Sequence, residues 1–208
     1  MVRKVYKPSA RDPLEQSQAQ AGENLEERKT VRFSIHWRPC SKKNETKPIR
    51  VNIGKRVVWK VAPTAKAEAH EDAIAGLALC ELAWSRGQIT GTQRAFFRGM
   101  CAERAAGDLK RAAFATLLEP LRARRDRHGL PFGADLVRLE IVEHIGKKPG
   151  TDWLDVSVSW LEARPKAKRT GLGHDLVNLH AIVADGIRGA LIEDDDQAVE
   201  LAVSRVLD

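Results

Sequence analysis

Two groups of acidic residues stand near the C-terminal end of the chain, about twenty residues apart. The first is Asp175, and the second is the run Glu193-Asp194-Asp195-Asp196. Two carboxylates about 4 Å apart repel by roughly 4 kcal/mol at an effective dielectric constant of about 20, so such groups are brought together for a reason. A divalent cation turns this repulsion into ligation, and magnesium is held by one or two carboxylates with phosphate and water. If the chain doubles back at Gly189, the two groups predict a metal site for phosphate chemistry.

Each acidic group also has a simpler explanation. Asp175 is a good N-cap, because its side chain can accept hydrogen bonds from the backbone N–H groups of the first helical turn. The run 193–196 could be a solvated turn between a helix and a strand. The segment just upstream is basic, with Arg164, Lys166, Lys168 and Arg169. When both acidic groups and the basic segment are considered together, they favour a metal-dependent nuclease.

The composition favours a polyanionic partner. The 208 residues include 35 Lys and Arg against 28 Asp and Glu, a formal net charge of +7. This balance points to nucleic acid first, with a generic basic background as the alternative. The cysteines (Cys40, Cys80, Cys101) lack paired spacing, and no apolar run has the length of a signal-peptide core or a membrane span. We therefore expect a cytoplasmic protein with no membrane partner.

The strands that position these residues are predicted by alternation of apolar and polar residues. Residues 1–29 are polar and are expected to form a flexible tail, followed by a single domain over 30–208. The predicted strands are Val31–Trp37, a hairpin over Ile49–Val61 that turns at Gly54-Lys55, a second hairpin of Leu136–His144 with Trp153–Leu161, and a final strand over Gln197–Val206.

Helical spacing predicts a helix over 64–86, a helical block over 88–130 and a helix over 175–189. Thr64 and Gly87 are candidate caps of the first helix, and Gly107 should divide the block into two helices. Pro120 is expected to interrupt or tilt the second of them. The order of elements predicts an α+β fold, in which helices pack on one face of a small mixed β-sheet.

The tryptophans are a second candidate for nucleic-acid contact, because indole rings can stack on unpaired bases. Their positions, in alternating strands and on an apolar helix face, favour the core instead. The five are Trp37, Trp59, Trp84, Trp153 and Trp160.

The acidic blocks resemble the RusA family of Holliday-junction resolvases, whose pattern is Asp-x-Asp-Asn, a lysine, Asp-Ala-Leu and Asp-Asp-x-x-Val. Without a gap, Asp175-Leu176-Val177-Asn178 matches the first block, Asp185-Gly186-Ile187 the second and Asp195-Asp196-Gln197-Ala198-Val199 the last. The run Ser41-Lys42-Lys43-Asn44 after Pro39 is similar to the family's Pro-Ser-x-x-Asn loop. The resemblance covers residues 30–85 and 136–207 approximately, and the helical block 88–130 resembles an insertion.

The resemblance implies a homodimeric endodeoxyribonuclease that depends on Mg²⁺ or Mn²⁺ and cuts four-way DNA junctions in the recombination and repair of phage or prophage DNA. Asp175, Asp195 and Asp196 would be the catalytic metal ligands, and Asp194 adds an acid to that set. The residues implied in holding the DNA backbone are Lys42, Lys43, Asn44, Arg164, Lys166, Lys168 and Arg169. Asn178, His174 and His180 are accessory candidates.

Two positions depart from the family pattern. Val177 replaces the second aspartate, and Ala181 stands where the lysine falls. Valine cannot bind a metal and alanine supplies no charge, so an efficient reaction needs a substitute cation, for which the candidates are Lys168, Arg169 and Arg188. Two other functions therefore stay open. The chain could bind branched DNA without cutting it, or it could be a helical adaptor that exposes a large apolar face of residues 64–128.

Overall fold

The protein has an α+β fold. The computed structural model describes residues 30–40, 46–53, 56–133, 135–148, 151–161 and 174–207, with the backbone alone for 53, 56, 60, 61, 174–180 and 199. Within these ranges the chain forms a four-stranded mixed sheet, a separate two-stranded sheet and four α-helices. The predicted tail 1–29 lies outside the described residues.

The four-stranded sheet has one parallel pair of strands. In chain order the strands are β1 (Thr30–Ile35), β2 (Thr46–Ile53), β3 (Arg56–Pro63), β4 (Val137–Ile145), β5 (Trp153–Trp160) and β6 (Ala198–Leu207). The order across the sheet is β1-β5-β4-β6, with β4 and β6 parallel and the other neighbours antiparallel. Strands β2 and β3 pair only with each other in an antiparallel hairpin.

Side chains alternate between the two faces of the sheet, as the sequence pattern predicts. In β1 the apolar residues Val31, Phe33 and Ile35 are buried, while Arg32 is exposed. Trp37 lies beyond the end of this strand and is half-buried. The buried face continues through β5 and β4 and belongs to the same hydrophobic core as the helices described next.

The helices are α1 (Ala65–Ser85), α2 (Gly91–Ala106), α3 (Arg111–His128) and α4 (His174–Ile187). Helix α1 is central, because it packs against β1 and against each of the other three helices. Its predicted N-cap is confirmed: the Thr64 hydroxyl accepts a hydrogen bond from the backbone N–H of Ala67. The predicted break at Gly107 is also confirmed, since Gly107 ends α2 with a φ of 90°.

Helix α4 packs on α1 through a close approach at Gly186. A Cβ atom at this position would lie 2.6 Å from Cγ2 of Ile74, and only glycine avoids that overlap. The side chains of Ile182, Val183 and Ile187 are fully buried on the same helix. The C-terminal half of α4 is therefore fixed in the core, and it holds the chain that follows.

The predicted interruption of helix α3 at Pro120 is wrong. Helix α3 runs without a break from Arg111 to His128, although Pro120 lies inside it. Proline removes one N–H donor from the helix, which leaves the carbonyl group four residues earlier without its usual partner. Both Pro120 and Thr116 are exposed, so water can reach that carbonyl group and the helix continues.

The prediction that the tryptophans belong to the core is wrong for two of them. Trp59 on β3 is 68% exposed and Trp84 near the end of α1 is 39% exposed. The guanidinium group of Arg94 lies 5.1 Å from the centre of the Trp84 ring. Trp59 stands on a hairpin that, within the described ranges, does not join the four-stranded sheet, and its side of the hairpin is open to solvent.

The helical block does not offer the apolar face that an adaptor needs. Between residues 64 and 128 the exposed large apolar side chains are Trp84 and Phe96. The remaining large apolar groups of α2 and α3, such as Phe97 and Phe114, are buried against α1. None of the helices in the described ranges combines the length and the apolar character that a membrane crossing requires.

Candidate functional site at the acidic turn

The acidic residues 193–196, called here the acidic turn, follow a tight reversal of the chain. Helix α4 ends at Ile187, two residues before the predicted end, and Gly189 has a φ of 70°. The backbone N–H of Gly189 donates to the carbonyl oxygen of Ile192 at 2.7 Å, and residues 190–192 are buried. The chain therefore turns sharply at Gly189, and this buried corner directs the next four residues toward solvent.

Gln197 anchors the acidic turn to the rest of the protein. Its side-chain oxygen accepts hydrogen bonds from the backbone N–H groups of Glu193 and Asp194, both at 2.8 Å. Its side-chain nitrogen donates to the carbonyl oxygens of Gly133 and Asp135, both at 2.7 Å. The Gln197 side chain is 9% exposed and these four bonds use its full hydrogen-bonding capacity. The turn therefore has one defined conformation.

Two carboxyl groups of the turn are in direct contact. A hydrogen bond between the side chains of Asp194 and Asp195 raises the pKa of Asp195 and lowers that of Asp194. Partial burial and the negative charge of Asp185, on the last turn of α4, raise the pKa of Asp195 further. The Asp194 carboxylate also accepts from the backbone N–H of Asp196 at 3.4 Å. The two carboxyl groups therefore interact, and Asp195 is the one whose pKa is raised.

A positively charged side chain, that of Arg188, lies beside this pair. An Nη atom of Arg188 is 3.7 Å from a carboxylate oxygen of Asp195, and its side chain is 54% exposed. Arg188 follows α4 directly, so its position is fixed by the buried end of that helix. An exposed guanidinium next to paired carboxyl groups can contact an incoming phosphate group without leaving the site.

The donor set suits a hard divalent cation. Carboxylate oxygens are the ligands that magnesium prefers, and a cation beside Asp194 and Asp195 would offset the repulsion between their charges. Among the described side chains, no group of three His, Cys, Asp or Glu residues is arranged to hold a metal ion. Magnesium commonly takes one or two carboxylates and completes its shell with water and substrate phosphate, so a two-carboxylate site fits this ion.

The acidic turn lies at a defined end of the sheet. Strand β6 begins at Ala198 beside Val137, the first residue of β4, and Val137 in turn pairs with Trp160, the last residue of β5. The backbone N–H of Leu161 donates to the carbonyl oxygen of Leu136 at this end. The chain thus enters the segment 162–173, which contains the basic candidates, from the same end of the sheet as the acidic turn.

The chain matches no protein-family model, no curated protein and no solved structure. The resemblance to the RusA family therefore stays a prediction that rests on the residues quoted for it. What the molecule does has to be argued from the chemistry of the acidic turn and from the charges around it.

The predicted metal ligands are only partly brought together in the described structure. Asp194, Asp195 and Asp196 share the acidic turn, and Asp194 and Asp195 contact each other. Asp175 lies in the first turn of α4, which spans about 20 Å over its 14 residues. The described neighbours of Asp195, by contrast, are Asp185 and Arg188 at the far end of this helix. The Asp175 side chain lies outside the described ones, so its part in the ligand set stays a prediction.

The other predicted contact residues cannot be placed. The side chains of the accessory candidates His174, Asn178 and His180 are outside the described set. The same holds for the DNA-backbone candidates, which are Lys42, Lys43, Asn44, Arg164, Lys166, Lys168 and Arg169. Their roles stay predictions.

Sequence reasoning missed two residues of this site, Asp185 and Gln197. Asp185 had been matched to a family block, and its spacing of ten residues from Asp195 was a usable signal once a reversal at Gly189 was expected. Gln197 was interpreted as the first residue of the last strand, but it ends a short 3-10 helix over Asp195–Gln197 and β6 begins one residue later. Its four partners include residues more than sixty positions away, and no local pattern reveals such contacts.

Proposed function

We propose that this protein is a magnesium-dependent endodeoxyribonuclease of the RusA type that resolves four-way DNA junctions. The observation that carries the proposal is the contacting pair Asp194 and Asp195, with Asp185 and Arg188 around it. This is an arrangement of acids that a divalent cation stabilises, and it lies at the end of the sheet from which the chain enters its basic segment. The overall charge of +7 agrees with a DNA partner.

In this proposal Asp194 and Asp195 hold Mg²⁺ or Mn²⁺, and Asp196 and Asp175 are the further candidate ligands. The bound cation would polarise the scissile phosphate and lower the pKa of the attacking water. Gln197 keeps the two carboxyl groups in position, because it fixes the backbone on which both stand. Rigid placement of this kind contributes to rate, since misplacement by about 1 Å costs on the order of a hundredfold.

Arg188 supplies the positive charge that Ala181 lacks. Its guanidinium is held beside Asp195 and is exposed enough to contact a phosphate oxygen of the substrate. Negative charge grows on the phosphate oxygens in the transition state, and a preplaced cation stabilises it. The half-buried methyl group of Ala181 cannot do so.

The remaining partners follow from the reaction. Symmetric cuts in two strands require two sites, so the proposal includes a homodimer in which each subunit contributes one acidic turn. The proposed setting is cytoplasmic, in phage or prophage recombination, and the proposed substrate is branched DNA held by its phosphates.

The second candidate function is selective binding of branched DNA without cleavage. Val177 and Ala181 favour it, because the family pattern places a metal ligand and a lysine at these two positions. In this case the acidic turn would be a remnant of a metal site, and the basic segments alone would be functional.

The test is incubation of the purified protein with a labelled synthetic four-way junction and with a linear duplex, with and without Mg²⁺. Symmetric cuts in the junction that require Mg²⁺ support the endonuclease. Tight, junction-selective binding with no cuts in Mg²⁺ or Mn²⁺ supports the second function. If the protein binds and cuts the junction and the linear duplex equally, both proposed functions are contradicted.

The variant Asp196→Asn should abolish cleavage and leave junction binding unchanged or tighter, because a carboxylate charge near the phosphates is lost. The matched control is Asp108→Asn, an exposed aspartate in the turn between α2 and α3. Full cleavage by Asp196→Asn would remove this residue from the proposed site.

A further inference from the structure

The sequence of the β2–β3 hairpin is strongly basic. Residues 46–63 contain five basic residues and no acidic one. The basic residues are Lys47, Arg50, Lys55, Arg56 and Lys60. The side chains of Lys47 and Arg50 are described and both are exposed. A ribbon of this composition attracts a polyanion over any other class of partner.

Arginines elsewhere in the described structure are used differently. Arg94 and Arg98 both pair with the buried carboxylate of Glu81, at 2.7 and 3.3 Å. Arg104 and Arg111 both pair with Asp72, at 2.8 and 3.2 Å. These four arginines hold α2 and α3 against α1, so much of their charge is compensated inside the protein. The hairpin charge is thus a distinct feature and not part of a uniformly basic surface.

One face of the hairpin places one of these basic residues, Arg50, beside an exposed aromatic ring. Trp59 pairs directly across the strands with Arg50, and Val57 pairs with Asn52, so these four side chains share one face. Trp59 is 68% exposed and Val57 is 47% exposed, and Arg50 and Asn52 are exposed as well. An indole ring can stack on a base, while a neighbouring guanidinium and amide can contact the flanking phosphate and the base edge.

The same features argue against two other occupants. A second copy of the hairpin would bring five further positive charges against the first five, which disfavours self-association. A membrane surface requires a continuous apolar face, but Arg50 and Asn52 interrupt the face that carries Trp59 and Val57.

We propose that the β2–β3 hairpin is a DNA-binding element in which Trp59 stacks on an unpaired base and Arg50 holds the adjacent phosphate. It would engage the unstacked bases at a branch point or in a single strand, separately from the acidic turn. The inference rests on the proposed function to the extent that both take DNA as the partner, but it assigns a contact that cleavage chemistry does not need.

The experiment measures binding of a labelled oligothymidylate and of a linear duplex to the full-length protein by fluorescence anisotropy. EDTA is present, so that no cleavage occurs. Trp59→Ala should weaken binding of the single strand about tenfold, while Trp59→Phe should keep most of the affinity because it retains a ring that stacks. Arg50→Gln should lower the slope of log affinity against log salt by about 0.7, the value for one phosphate contact on a single strand.

The matched controls are Phe96→Ala, an exposed aromatic on α2, and Arg127→Gln, an exposed arginine on α3. Neither should change the affinity. A second measurement does not depend on the folding of Trp59→Ala. If Trp59 contacts a base, DNA should quench the tryptophan emission of the wild type more than that of Trp59→Phe. Wild-type affinity in both Trp59→Ala and Arg50→Gln would overturn the inference. The inference would also be overturned if these variants changed only the binding of anionic phospholipid vesicles, or only the oligomeric state, and left DNA binding unchanged.

Cleavage is measured on the same proteins in a separate assay with Mg²⁺ and a four-way junction. Loss of single-strand binding in the hairpin variants, with no cleavage by the wild type, would keep the hairpin inference and refute the endonuclease. Mg²⁺-dependent cleavage together with unchanged single-strand binding by the hairpin variants would support the endonuclease and refute the hairpin inference.

Discussion

At the residue scale, Gln197 determines the shape of the acidic turn. Carboxyl groups on a loose loop would separate, because they repel and water solvates each of them well. The four hydrogen bonds of Gln197 tie the turn to residues 133 and 135 and prevent that separation. Asp194 and Asp195 consequently stay close enough for each to shift the pKa of the other, and a cation that binds beside them would offset the repulsion between their charges.

The change Gln197→Ala should lower the free energy of unfolding by about 1–3 kcal/mol. It leaves two backbone N–H groups and two carbonyl oxygens without the partner they have in the folded protein. Urea denaturation measures the loss. The control is Gln93→Ala, whose exposed side chain caps α2 and whose removal should cost at most about 1 kcal/mol. Equal stability of Gln197→Ala and the wild type would show that the turn does not depend on this side chain.

At the element scale, local patterns were sufficient for most helices and strands. Alternation in Val31, Phe33 and Ile35 predicted β1, and Gly107 predicted the division of α2 from α3, because both signals lie within a few residues. Pairing partners were not predictable in this way. The parallel contact of β4 with β6 joins residues about sixty positions apart, and together with the hydrogen bonds of Gln197 it places the acidic turn at this end of the sheet.

The same limit applies to exposure of side chains. Alternation in β3 correctly predicted a strand, but the burial of Trp59 depends on whether a second layer covers the hairpin. Among the described residues β2 and β3 pair with each other alone, and the side of β3 that carries the ring is open to solvent. Likewise, Pro120 is tolerated in α3 because that face of the helix is exposed, a property that the local sequence does not state.

The packing of α4 on α1 should be sensitive to one methyl group. Gly186→Ala places a Cβ atom 2.6 Å from Cγ2 of Ile74, so it should destabilise the protein by about 1–3 kcal/mol. Gly99→Ala in α2 is the matched control, because a Cβ there meets nothing within 4 Å. That change should stabilise the protein by roughly 0.5–1 kcal/mol through helix propensity.

Thermal or urea unfolding of both glycine variants measures the difference. A neutral or stabilising Gly186→Ala would mean that α4 does not approach α1 as closely as described. The end of α4 would then not be the fixed support on which Arg188 and the acidic turn depend.

At the scale of the whole molecule, charge is divided between regions. Helices α2 and α3 contain arginines paired with buried or half-buried acids of α1, whereas the hairpin has five basic residues and no acid. The acidic turn is the opposite case, with four acids in sequence beside one exposed arginine. This division suits a protein that binds a polyanion through its basic segments and a cation through the acidic turn.

Affinity for a four-way junction should therefore fall steeply with salt, because neutralised phosphates release their counterions. Contacts from six basic candidates in the segments 42–43 and 164–169 would give a slope of about −5 in log affinity against log salt. Replacing Lys42 and Lys43 together with glutamine should reduce the slope by about 2. A flat response in the wild type would remove nucleic acid from the partners of this protein.

The central claim, that the acidic turn holds a divalent cation, is tested most directly by titration of the protein with Mn²⁺, followed by water proton relaxation. The account predicts saturable binding of Mn²⁺ in the wild type and in the control Asp108→Asn. It predicts that Asp195→Asn weakens binding at least tenfold, because one of the two contacting carboxylates is lost. Equal affinity of Asp195→Asn and the wild type, or no saturable binding by the wild type, would contradict the account.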